Sequence, residues 1–192
     1  MGGDFEVMTD ENGRFQFYSI DKGDTKINVG AKNSDFFIQM KLGEGHFGSV
    51  SLVSSNITHK LYAMKEIKAN QRYQSEAQRN EVEKEIKLLE NLNHPHVIKY
   101  FTSFRENDCI YIITEYINGG SLEDLLKNNI TQGKLINEKA LWEFLIQSLN
   151  GLLYLHESKK IIHRDIKLDN ILIDKDGNLK ISDFGVSAIK SE

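Results

Sequence analysis

From Phe36 onward the chain passes from irregular polar sequence to ordered alternation. Phe36, Ile38, Met40 and Leu42 recur at every second position, the period of a strand. Gly43-Glu44-Gly45-His46-Phe47-Gly48 interrupts them as a turn, and Val50 and Leu52 resume the alternation. A polar turn around Asn56 to Lys60 leads into a third strand. There Leu61, Ala63, Lys65 and Ile67 share one face, because strand side chains repeat with period two. The period then lengthens. Between about Ser75 and Asn91, the residues Val82, Ile86 and Leu89, continued by Asn93, mark a buried stripe at helical spacing. His94-Pro95 stops that helix. Two further strands are predicted near Val97 to Phe104 and Cys109 to Glu115.

Gly119-Gly120 then breaks the chain. Ser121, with Asp124 three residues on, has the form of a capping box and opens a short helix through Leu126. From about Glu138 to Glu157 apolar residues cover most of the helical circumference, which predicts a central, buried helix. Ile171 to Ile173 and Leu179 to Ile181 flank Asp176-Gly177 as a small hairpin. Residues 1 to about 34 stand apart, rich in Gly, Asp and Asn. A hairpin is expected in Arg14 to Ile20, after the Glu11-Asn12-Gly13 turn signal. This segment reads as a flexible extension, or alternatively as a strand pair docked on the domain. A sheet with one helix, then a glycine break, then helices with a small sheet is an α+β order. It predicts two lobes with a cleft for ligands between them.

Composition narrows the setting. At 192 residues a single domain is the default. A net charge of −4 argues against a nucleic-acid module, which carries a basic face. Cys109 is the only cysteine, so no intrachain disulfide forms and a reducing compartment fits. Apolar runs such as Ile110 to Ile113 are too short to span a bilayer. Met1-Gly2-Gly3 is followed by Glu6 where a myristoylation signal takes Ser or Thr, and no signal-peptide pattern is seen. A cytoplasmic or nuclear location is expected, without nucleic-acid or membrane partners; oligomeric state is not legible.

Chemistry concentrates in two runs, His163-Arg164-Asp165-Ile166-Lys167-Leu168-Asp169-Asn170 and Asp183-Phe184-Gly185. A carboxylate for a hydroxyl proton, Asp165, with a carboxamide and a carboxylate for Mg²⁺, Asn170 and Asp183, is what phosphoryl transfer to an alcohol requires. Lys167 offsets charge on the transferring phosphate. Gly43-x-Gly45-x-x-Gly48 lacks Gly-Lys-Ser/Thr and leads into a strand, so it is neither a Walker loop nor a dinucleotide fingerprint. Its glycines let backbone N–H groups close over phosphates. A lysine on an inward strand face needs a paired charge. For Lys65 the partner is Glu85, bordering the helical stripe, with Glu81 the alternative one turn earlier; breaking such a buried pair costs about 3–5 kcal/mol.

These residues resemble the eukaryotic protein kinase family, Ser/Thr type, with a Ste20-like or NimA-like flavour, over about Phe36 to Glu192. The resemblance implies a two-lobe kinase fold with a complete N-terminal lobe, a five-stranded antiparallel sheet plus one helix, and an incomplete helical C-terminal lobe. The lobe boundaries fall at about 35–115 and 121–192, with a hinge at about 115–120. It implies that Gly43, Gly45 and Gly48 cover the ATP phosphates and that Lys65, paired with Glu85, holds them. Leu42, Val50, Ala63 and Leu172 line the adenine. Thr114 falls at the gatekeeper position, with Glu115 and Ile117 reading the adenine edge. His163, Phe184, Leu89 and Tyr100 form a hydrophobic spine. Lys167 resembles the Ser/Thr-specific loop.

The implied activity is ATP- and Mg²⁺-dependent phosphorylation of a protein Ser or Thr. No Ala-Pro-Glu follows Asp183, so the reading is a catalytic domain cut short, with the helix at Glu138 to Glu157 partly uncovered. An inactive ATP-binding or interaction fragment is the alternative, and a small-molecule phosphotransferase a third. Ser187 and Ser191 carry hydroxyls to which the sequence assigns no role.

Overall fold

The computed structural model describes residues 5–9, 15–19, 31–45, 48–68 and 76–189. The chain divides into two compact units, Met1–Asn80 with Tyr100–Tyr116, and Glu81–Lys99 with Ile117–Glu192.

In the first unit, strands β1 (Phe5–Thr9) and β2 (Phe15–Ser19) form an antiparallel pair. The turn joining them, with Arg14 and Ile20, lies outside the described residues. The main sheet contains β3 (Phe36–Gly45), β4 (Gly48–Ser55), β5 (Leu61–Lys68), β6 (Tyr100–Glu106) and β7 (Cys109–Glu115). Its order is β3-β4-β5-β7-β6, antiparallel throughout. The regular alternation expected along β3 does not give it one buried face. Register shifts fall between Ile38 and Met40 and between Lys41 and Gly43, each turning the following side chains over. β3 is also an edge strand, and Ile38, Met40 and Leu42 are exposed while Phe36 is buried.

The face carrying Ala63 and Lys65 was expected to be the inward one, yet Tyr62 and Met64 on the opposite face are more deeply buried, Tyr62 at 1% exposure. They belong to a core of Phe36, Val53, Tyr62, Met64, Tyr111 and Ile113, closed by Phe101 and Phe104. Ring pairs stiffen it. Phe104 stacks on Phe36 at 5.9 Å and on Tyr111 at 5.0 Å, and Phe101 meets Tyr62 edge-on at 5.0 Å. Each such pair contributes about 0.5–1.5 kcal/mol beyond area burial. Ala31 packs on this cluster, and the Asn33 amide donates to Glu106 at 2.7 Å. The packed part of the chain therefore begins before Phe36.

Helix α1 (Glu76–Glu90) begins in the first unit and ends in the second. Its buried stripe is Val82, Glu85, Leu88 and Leu89, continued by Leu92; Ile86 is only half-buried and Asn93 is exposed. The stripe thus sits one residue away from the expected one and takes in a carboxylate, with Glu85 only 4% exposed. The strand expected from Val97 also divides. Val97 bridges Ile181 in parallel within the second unit, and β6 starts at Tyr100 in the first.

The second unit builds its own core from Leu122, Ile171, Ile173 and Leu179, flanked by Leu125 and Phe144. Helix α2 (Leu122–Thr131) starts at the expected capping box: Asp124 N–H donates to Ser121 Oγ at 3.1 Å and Ser121 N–H to Asp124 Oδ2 at 3.0 Å. It runs past Leu126 to Thr131. Helix α3 (Glu138–Leu153), capped by Asn137, widens to a π turn over Tyr154–Ser158. Strand β8 (Ile161–Ile162) pairs with β11 (Ala188–Ile189), and β9 (Ile171–Ile173) with β10 (Leu179–Ile181). Gln147 of α3 fastens the β9–β10 turn, its Nε2 donating to Gly177 O at 3.0 Å and its Oε1 accepting from Leu179 N–H at 2.8 Å.

The central burial expected for α3 from its apolar count is not observed, whereas the partial exposure also expected of it is. Leu141, Trp142, Leu145, Ile146, Leu149 and Leu153 are 48 to 61% exposed. Only Gly151 is fully buried there, because the loop at His96 and the side chain of Ile181 close on it. Among the described residues no helix is long and apolar enough to cross a membrane.

Candidate active site

The first unit carries the glycine turn and the lysine. Gly45 faces Gly48 across the β3–β4 turn, with His46 and Phe47 outside the described residues. The outer glycines answer different demands. A Cβ on Gly43 would meet nothing within 4 Å, so packing does not demand glycine there; a close-lying ligand would. A Cβ on Gly48, at φ 147°, would stand 1.8 Å from Glu66 O, so no side chain fits.

Register sets the face. Val50 pairs with Lys65 and Lys65 with Ile112, while Leu52 pairs with Ala63 and Ala63 with Thr114. Directly paired residues project to the same side, and so do alternate residues in a strand. Val50, Ala63, Lys65 and Thr114 are therefore brought to one face of one sheet, all half-buried. Leu42 is exposed at a register shift beside Gly43. Glu115 ends β7 on the other face, so only its backbone fits an edge-reading role.

The second unit carries the loop chemistry. Glu85 belongs to it, whereas Lys65 belongs to the first. The side chain of Glu81 lies outside the described residues. Ile117 and Leu172 are half-buried here, and Leu172 bridges Ser121. The glycine break has a packing reason: a Cβ on Gly119 would lie 2.3 Å from Ile173 O, and Gly120 O accepts from Ile173 N–H at 2.9 Å.

Between β8 and β9 the chain folds around Asp165. Lys167 Nζ lies 2.9 Å from Asp165 Oδ2. Asn170 Nδ2 donates to Asp165 O at 2.9 Å and to Asp165 Oδ2 at 2.8 Å. Both amide protons of Asn170 are thereby committed, leaving its oxygen as an acceptor. Lys167 first, and Asn170 after the opposing effect of burial, hold the Asp165 carboxyl below its ordinary range. The hydrogen bond to Asp165 raises Lys167, and the charges of Asp165, Asp183 and Asp169 add to it. One lysine thus sits in the field of all three carboxylates.

His163 is buried, and burial pushes its imidazole below the usual value. Its Nε2 lies 2.9 Å from Ser182 O, and its Nδ1 accepts from Asp165 N–H at 3.3 Å. Only the neutral ring with its proton on Nε2 satisfies both contacts. The ring meets Phe184 edge-on at 4.9 Å, so two of the expected spine residues are in contact. Arg164 and Asp183 both have left-handed backbone, φ 67° and 61°.

Three features escaped sequence reasoning. Ser182 ties the two chemical runs together, its N–H and Oγ donating to Asn170 O at 2.8 and 3.0 Å. Glu85 Oε2 lies 3.7 Å from where a Cβ on Gly185 would stand, and Asp183 Oδ1 lies 3.4 Å from that point. So α1 delivers its carboxylate beside the Asp183 run. The carboxyl groups of Glu123 and Asp169 perturb one another. Proximity to Glu123 raises Asp169, and Asp169 together with Lys127, whose Nζ is 2.6 Å from Glu123, lowers Glu123. No local spacing announces any of these, since each joins separate elements.

Among the described residues no three His, Cys, Asp or Glu side chains gather as a metal cage. Asn170 and Asp183 instead supply hard oxygen donors of the type that hold Mg²⁺ when phosphate and water complete its shell.

Comparison with known proteins fits this arrangement. Residues 36–192 match the family model for the protein kinase domain. Over 150 residues, 78% of the chain, it is 37% identical to serine/threonine-protein kinase Nek1 of Mus musculus, covering 12% of that protein. It is 40% identical to mitogen-activated protein kinase kinase SIPKK of Nicotiana tabacum, over 81% of the chain and 42% of the relative. It is 42% identical to serine/threonine-protein kinase pakH of Dictyostelium discoideum, over 80% of the chain and 28% of the relative. The matches thus span less than half the length of each of these relatives.

Proposed function

The chain belongs to the protein kinase family, and from that we propose that it transfers the γ-phosphate of ATP to a Ser or Thr hydroxyl of a protein. One observation carries the proposal: Asp165 is held as an ionised acceptor between Lys167 and Asn170, and the Asn170 carbonyl is tied to Ser182, the residue preceding Asp183. Asp165 orients the acceptor hydroxyl and takes its proton; a base so placed is worth about 10²–10⁴ in rate. Lys167 neutralises charge on the group in flight. Asn170 and Asp183 hold Mg²⁺, which when bound draws charge from the phosphate oxygens.

The backbone of Gly43, Gly45 and Gly48 covers the phosphates. Lys65, supported by Glu85, holds them. Leu42, Val50, Ala63 and Leu172 face the adenine, and Thr114, Glu115 and Ile117 set its edge. A cytoplasmic or nuclear setting for the chain fits its single thiol.

The test is γ-phosphate transfer from labelled ATP to a mixed protein substrate, with nucleotide binding measured on the same sample. Transfer at least about a hundredfold above an Asp165→Ala control is expected. Lys65→Met is expected to leave the secondary-structure content by circular dichroism largely intact while transfer disappears. The exposed apolar face of α3 favours a second reading, a nucleotide-binding interaction module. Binding with transfer no faster than the Asp165→Ala control would establish that one.

A further inference from the structure

We propose that Ser187 is a positioning residue whose hydroxyl fixes the aim of Asp165, an inference that rests on the phosphotransfer reading above. Two residues that are not glycine occupy the left-handed region in the chemical runs, Arg164 at φ 67° and Asp183 at φ 61°. Such conformations persist where surrounding contacts over-determine them.

Ser187 bonds beside both. Its Oγ donates to His163 O at 3.1 Å, the carbonyl immediately before Arg164. Its N–H donates to Phe184 O at 3.0 Å, the carbonyl of the residue after Asp183, in a main-chain bond that does not depend on the side chain. Neighbouring links extend this strap. Arg164 Nε donates to Val186 O, Ala188 pairs with Ile162, and Ile189 pairs with Ile161. The segment after Gly185 therefore crosses the base of both turns, and Ser187 is the residue that grips the two together.

The grip matters because of what hangs from the His163–Arg164 peptide. Asp165 follows it, and the Asp165 amide reaches His163 Nδ1 only at 3.3 Å, a weak bond. Without the Ser187 hydroxyl, the His163 carbonyl loses a partner that defines the peptide plane. The left-handed turn at Arg164 can then relax and carry the Asp165 carboxylate away from its present line. Main-chain pairing of β8 with β11 survives the substitution, so the fold is retained while the aim is lost.

The experiment compares the 192-residue chain with Ser187→Ala and Ser187→Thr, using amide hydrogen exchange across residues 161–166 and 183–186 alongside phosphate transfer. Loss of one hydrogen bond is expected to speed exchange at Arg164 and Asp165 about fivefold to tenfold in the alanine protein. Turnover is expected to fall about tenfold, with KM for ATP held within about twofold. Threonine keeps the donor and is expected to restore both quantities. Ser187→Cys, similar in volume but a weak donor, replaces alanine if that protein fails to fold. Wild-type exchange and turnover in the alanine or cysteine protein would overturn the proposal, as would a threonine protein that behaves like alanine. If the wild-type chain transfers no phosphate, the kinase reading fails alone, and the exchange comparison still decides the role of Ser187.

Discussion

His163 couples a proton to the geometry of the loop it opens. Its folded form is neutral, because burial lowers its pKa and both ring nitrogens are engaged. The unfolded chain takes up a proton as pH falls below about 6.5, and the folded chain resists it. The stability that His163 contributes is therefore complete above that value and drains away as pH falls toward the lower folded pKa. His94, lowered by burial and then by His96 and Lys180, acts with the same sign. Urea midpoints at pH 7.5 and 5.5 are expected to drop in the wild type and to drop less in His163→Phe; equal losses would remove His163 from the account. At the same scale, Gly48→Ala brings a methyl into the Glu66 carbonyl at a φ of 147°. It is expected to destabilise by about 1–3 kcal/mol, read from chemical denaturation.

Elements were legible where a local rule governs them. The Ser121–Asp124 cap was visible because its partners are three residues apart, and the β7 bounds because Cys109 to Glu115 has the composition of a strand. Removing the cap in Ser121→Ala is expected to cost about 0.5–2 kcal/mol, seen as a lower thermal midpoint with unchanged strand content. The bulges in β3 were not legible, since an edge strand can shift register without any change in its apolar count. The stripe of α1 was drawn through Ile86 and Asn93 with Glu85 at its border, whereas the structure buries Glu85, Leu88 and Leu92, since burial of a charged group follows from its partners and not its type. In the site, Asp165, Lys167 and Asn170 were readable from spacing within one loop. Ser182 and Ser187 were not, because their partners come from other turns of the chain.

At the scale of the molecule, the apolar count of α3 correctly said that the helix seeks cover and wrongly implied that its described neighbours supply it. Gln147 and Gly151 meet the rest of the second unit and Leu155 is buried within it, while the stripe from Leu141 to Leu153 is exposed. An apolar patch of this extent favours self-association in the isolated chain. Sedimentation is expected to show rising mass with concentration, and Leu145→Glu with Leu149→Glu is expected to suppress it without lowering the thermal midpoint. Unchanged association in that double variant would place the contact elsewhere.

The sole tryptophan of the chain, Trp142, stands on that same stripe at 57% exposure, its indole N–H directed at Glu138 3.4 Å away. Nature has thus put the one strong intrinsic fluorophore where wetting changes most. A red-shifted emission reports a bare helix, and a shift to the blue on mixing with any polypeptide reports that the helix has found its cover, with no dye attached.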